Sequence, residues 1–73
     1  MVLITPAILF AQPAPAQPLS ASVRAFEARG YVVRSAENNG QTHEIEATAP
    51  NGRRIEAIVE AATGKVLSEQ PDN

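Results

Sequence analysis

His43 is the only histidine in this 73-residue chain, and Glu44, Glu46 and Glu56 are the acidic residues that paired strands could bring together. A histidine acting as a general base needs a nucleophile within reach and a third group to orient its ring. With one histidine and no cysteine, the chain lacks the partners of a familiar triad. No catalytic residue is assigned, and His43 reads as a polar group at the margin of an apolar sheet face. The glutamates could hold a hard cation, but such ions take about six to eight oxygen donors, usually gathered by a shaped loop. Three carboxylates standing on strands do not supply that set. No metal and no cofactor are expected, and the glutamates read as a solvated face salt-paired by Arg34 and Arg54.

Those side chains need a sheet to position them, and the chain encodes one. Tyr31 to Glu37, Gln41 to Ala49 and Arg53 to Glu60 have the composition and alternation of strands, separated by Asn38-Asn39-Gly40 and Pro50-Asn51-Gly52. Two-residue Asn-Gly loops would set Ile45 opposite Arg34 and Ile58, away from Val33, Ile55 and Val59. Three-residue loops, each a type I turn closed by a left-handed glycine, instead pair Glu37 with Gln41 and Ala49 with Arg53. Tyr31, Val33, Ile45, Ala47, Ile55, Ala57 and Val59 then share one face. A slip of one residue would flip every side chain, so this agreement favours the longer loops. Pro50 at the first central position of a type I turn fits as well. A short fourth strand at the edge, Lys65 to Ser68, follows the turn at Ala61-Ala62-Thr63-Gly64, and residues 69–73 read as a polar tail.

Ahead of the strands, Leu19, Val23 and Phe26 recur at spacings of four and three with alanines between them, which marks one face of a short helix. Ser20 or Ser22 could cap its start, and Gly30 is placed to end it. A helix of about three turns is not stable alone, so its Val23/Phe26 face must lie on the sheet. The expected fold is α+β: one N-terminal helix packed on a three- to four-stranded antiparallel β-meander, in two layers, with the other sheet face open.

The first sixteen residues carry no charge. Val2 to Phe10 is an apolar run broken only by Thr5 and Pro6, and Ala14-Pro15-Ala16 fits an A-x-A cleavage site. Residues 1–16 read as a signal peptide cut after Ala16, with the missing basic start lying upstream of Met1. Residues 17–19 form a Pro-containing linker, and the domain occupies residues 20–68. The apolar run is about half the length of a membrane span, so no stable membrane anchor is expected. A net charge of −2, with six basic residues scattered among eight acids, gives no electrostatic footprint for nucleic acid.

The helix ending in Gly30-Tyr31, the run His43-Glu44-Ile45-Glu46-Ala47, the strand Gly52-Arg53-Arg54-Ile55-Glu56 and the closing Val59-Glu60-Ala61-Ala62-Thr63-Gly64-Lys65-Val66-Leu67 resemble a PepSY domain. The family's closing signature is similar to V-D-x-x-T-G-x-V-L, and Glu60 stands where Asp is usual. Glu60, Thr63 and Gly64 are the signature turn. The resemblance implies an exported bacterial module, periplasmic or secreted, of the kind found in propeptides of thermolysin-type metalloproteases, with a proposed role in restraining proteases. It implies no catalytic residue.

The open face then becomes the candidate partner-binding surface: Val32, Arg34, Glu44, Glu46, Arg54, Glu56 and Ile58. Two apolar residues on an uncovered sheet could centre a docking site, and the edge at Lys65 to Ser68 could accept an added strand or a second copy of the chain. The expected function is a non-catalytic extracytoplasmic binding module with a protein partner, a protease being one class. The alternative is a small structural or sensing module that takes a cation or small ligand on the acidic face.

Overall fold

The computed structural model describes residues 15–72. The signal-peptide expectation falls on residues outside that range except for Pro15 and Ala16, and Asn73 also lies outside it. Helix α1 spans Leu19–Ala28 and is followed by β1 (Val32–Asn38), β2 (Thr42–Thr48), β3 (Arg54–Glu60) and β4 (Val66–Pro71). The strands form one antiparallel sheet in the order β1-β2-β3-β4, a meander with the helix on one face. The α+β arrangement is the one the apolar periodicity requires.

Helix α1 starts without a serine cap. Pro18 is its N-cap residue and supplies no side-chain hydrogen bond; Ser20 lies inside the helix and Ser22 turns into the core. The C-terminus is built as the sequence predicts. Gly30, at φ +85°, donates its N–H to the Glu27 carbonyl, and the Tyr31 N–H reaches back to the Phe26 carbonyl. These two bonds make a Schellman closure, which satisfies carbonyls the helix end leaves over. The chain therefore turns straight from the helix into β1, and Tyr31 lands edge-on against Phe26, with ring centroids 5.2 Å apart.

Phe26, Ile45, Ala47, Ile55, Ala57 and Val59 form the core, with Leu19, Val23, Tyr31, Val33, Ala36 and Ala49 packed around it. The β2–β3 hairpin has the expected register: Ala47 faces Ile55, Ile45 faces Ala57, and a three-residue loop closes with Gly52 at φ +85°.

The β1–β2 hairpin differs. Its loop closes across Gly40-Gln41, with the Asn39 N–H bonded to the Thr42 carbonyl and the Asn38 side chain accepting the Gly40 N–H. Ala36 therefore pairs with Ile45 and Val33 with Ala47, and the register shifts by a bulge at Arg34. The physical reason is the spacing of the two apolar residues. Val33 and Ala36 are three apart and would face opposite ways in a regular strand, whereas one extra residue between them turns both toward the helix. Ala36, which unbroken alternation from Val33 would turn to the open face, packs against the core.

Strand β4 also differs from expectation, because Glu69, Gln70 and Pro71 continue the ladder opposite Ala57, Glu56 and Ile55. Of the segment expected to be a polar tail, residues 69–71 are strand. A proline is tolerated at the end of an edge strand, and the Asp72 N–H still reaches the Arg54 carbonyl at 3.0 Å. A second bulge, at Leu67, interrupts β4 near its start.

Candidate functional site

Among the described residues the open face of the sheet has no second layer. Glu46 stands opposite Glu56, Glu44 opposite Ile58, and Thr48 opposite Arg54, as the β2–β3 register requires. On the other side of β2, however, Glu44 faces Glu37 and Glu46 faces Ser35, so Arg34 is not Glu44's partner. The shorter loop at Gly40-Gln41, which sets Ala36 opposite Ile45, causes this change. Arg34 instead pairs with Asp72 at 3.5 Å, and Arg54 makes no ion pair among the described residues. The expected neutralisation of the glutamates by Arg34 and Arg54 is absent among the described ion pairs.

What remains is an acidic cluster. Glu44, Glu46 and Glu56 are half-buried, and one carboxylate oxygen from each lies within 4.8 Å of the others. A proton shared with Glu44, followed by the charge of that carboxylate, holds the Glu56 carboxyl above the usual glutamate range. Desolvation, Asp72 and Glu46 add to the shift. The apolar members of the face are apart. Val32 is exposed beside Thr48 whereas Ile58 is half-buried beside Glu44. Four residues of β2 separate them, about 13 Å at strand rise. They are two spots, not one patch.

The signature turn is internally satisfied. Gly64, at φ +77°, returns its N–H to the Glu60 carbonyl, the Thr63 hydroxyl donates to the Glu60 carboxylate at 2.6 Å, and Thr63 Oγ1 accepts the Lys65 N–H. These bonds build the turn between β3 and β4.

His43 is not at the margin of the covered face but wholly within it, with no exposed surface. Its Nδ1 lies 2.7 Å from the Ser22 hydroxyl of α1, and its Nε2 is buried without a partner among the described residues. Alternation along β2 places it there, on the same face as Ile45 and Ala47, and α1 closes over it. An imidazole so enclosed cannot meet a substrate in this conformation.

A cluster that the sequence reading missed sits where α1 runs into β1. Arg29 stacks over the Tyr31 ring at 4.7 Å and the Phe26 ring at 5.1 Å, and donates to the Tyr31 hydroxyl. The Tyr31 O–H donates in turn to Glu69 at 2.9 Å, and Arg29 and Glu69 approach to 3.6 Å. That hydrogen bond to Glu69 is the main reason the Tyr31 hydroxyl titrates above its ordinary value. Arg29 and Tyr31 flank Gly30 in the sequence, whereas Glu69 is distant from both and reaches them only through the extended β4 ladder. Beside the cluster, α1 rests mainly on β1 and β2, with one cleft between α1 and the β3–β4 edge and another beyond the helix end. One, of about 170 Å³, is lined by Ala21, Ala25, Phe26, Val59 and Val66. The other, of about 240 Å³, is lined by Tyr31, Arg53, Ile55, Glu69 and Pro71.

No helix among the described residues is long and apolar enough to cross a membrane. Neither curated proteins nor solved structures gave a significant match to the chain. A family model described as "Peptidase propeptide and YPEB domain" matches residues 1–70. With nearly its whole length matched, and with a helix-on-meander fold closed by the Glu60-Thr63-Gly64 turn, the chain belongs to the PepSY family.

Proposed function

We propose that this protein is a non-catalytic, propeptide-like binding module that is exported, is cut after Ala16, and docks on a protein partner through its open sheet face. A protease is the partner class suggested by the family description. The observation that carries the reading is the crowding of Glu44, Glu46 and Glu56 within 4.8 Å, without an arginine partner among the described ion pairs. Opposed like charges on a sheet cost stability, and a cationic side chain from a partner relieves that cost. Ile58 beside them supplies apolar contact.

The test is a titration of proteolytic activity in the extracytoplasmic fraction of the producing cell with the wild-type protein, Ile58→Lys and Glu44→Lys. The wild type should change the activity and both variants should lose the effect. Equal effects from all three would refute docking on this face.

The same cluster favours one second reading, a cation held by the three carboxylates. Titration with calcium and with zinc separates the two, since an ion bound only by the folded state raises the melting temperature by mass action. A rise abolished in Glu56→Gln supports the cation.

A further inference from the structure

Gln17 makes the first hydrogen bond that ties the chain to the domain. Its backbone N–H donates to the Ala61 carbonyl at 2.8 Å, and among the described residues no backbone group before it is bonded to the body. Its side chain lies exposed beside the Gly64 turn and makes no hydrogen bond among the described residues. Helix α1 begins two residues later, with no side-chain cap and no acidic residue in its first turn. A positive charge at residue 17 would therefore meet the positive end of the helix dipole with nothing in the first turn to offset it.

Cleavage after Ala16, the export reading on which this inference rests, makes Gln17 the first residue and gives it such a charge. We infer that the mature chain is then closed at Gln17 as a pyroglutamyl group. The α-amine attacks the residue's own side-chain carbonyl carbon, Cδ. The new N–Cδ bond completes a five-membered lactam, the bond from Cδ to Nε2 breaks, and the amide nitrogen leaves as ammonia with the proton given up by the amine. No oxidant, reductant or second substrate is consumed. The step removes the cation at the head of α1 and keeps one N–H on the nitrogen that serves the Ala61 carbonyl. It also removes the free amine that an aminopeptidase requires, which protects a small domain working among proteases.

The test is mass spectrometry of the protein recovered from the extracytoplasmic fraction of a bacterium expressing the whole gene, beside the variant Q17N. The Asn side chain is one carbon too short to close the same ring. The wild-type N-terminal peptide should begin at residue 17, be lighter by one ammonia and resist Edman degradation, while the Q17N peptide begins at the same position with a free amine. A wild-type peptide that starts at residue 17 with its amine free overturns the inference and leaves the cleavage site standing. A peptide that starts elsewhere overturns both.

Discussion

Removing the Ser22 hydroxyl should cost more than its size suggests, because among the described residues it is the one partner of a fully buried imidazole. Whichever tautomer His43 adopts, one ring nitrogen has no partner among them. If Nδ1 carries the proton it donates to Ser22, and Nε2 is a bare buried acceptor. If Nε2 carries it, a buried N–H has no acceptor and Nδ1 takes the Ser22 proton. Ser22→Ala leaves both nitrogens unpaired, and a newly unsatisfied buried polar group costs about 1–3 kcal/mol. A domain of this size without disulfides or metal holds only about 3–5 kcal/mol in all, so the loss is a large fraction of its stability.

His43→Leu removes both nitrogens at once, and the stranded Ser22 hydroxyl can bond back along its own helix. The double variant S22A/H43L should be as stable as the parent or more so, because replacing both partners by apolar groups is nearly neutral and the orphan nitrogen goes with them. The cycle should therefore show a coupling of about 1–3 kcal/mol. Urea denaturation of the four proteins followed by circular dichroism measures it, with the slope of stability against urea unchanged across the set. Additive single and double effects would refute the Ser22–His43 bond as a stabilising contact.

Two other perturbations test other parts of the molecule. Phe26→Ala removes the largest fully buried side chain, the one Tyr31 packs against edge-on, and should cost about 3–5 kcal/mol, enough to unfold the domain at ambient temperature. A cooperative thermal transition at the parent's temperature would contradict the helix-on-sheet core. For Glu56, whose native carboxyl titrates above the ordinary value, the folded chain binds the proton more tightly than the unfolded one. Its contribution to stability is fully present below the ordinary glutamate range and is lost as pH rises through the raised native value. Glu56→Gln should therefore melt above the parent at neutral pH, with the gain shrinking on acidification through the carboxylate range; a gain independent of pH would rule out this origin.

Strong local signals made much of the fold legible. Gly30 after an apolar stripe marked the end of α1, and Pro50-Asn51-Gly52 fixed both the loop and the register of β2 against β3. The first hairpin misled because Asn38-Asn39-Gly40 is compatible with several loops, and its choice depends on burying Val33 and Ala36 together, a tertiary demand met only by the Arg34 bulge. That error carried into the candidate site, where it assigned Arg34 to Glu44. Within β2 and β3 the glutamate cluster was legible, since it depends on the one register that turn chemistry specified. The end of β4 was hidden for a different reason: an edge strand can be polar on both faces, and Glu69 is held by Tyr31 and Arg29, which are distant in sequence.

The two bulges lie on the two outermost strands, Arg34 in β1 and Leu67 in β4. An irregular residue in an edge strand twists its free amides and carbonyls out of the straight row that a foreign strand would need, and a charged side chain at one of them adds repulsion and hydration. Among the described residues the sheet has one bare face and two open sides, which would otherwise be a template for stacking into aggregates. Distorting both outer ladders disfavours lateral growth and leaves the face opposite α1 accessible.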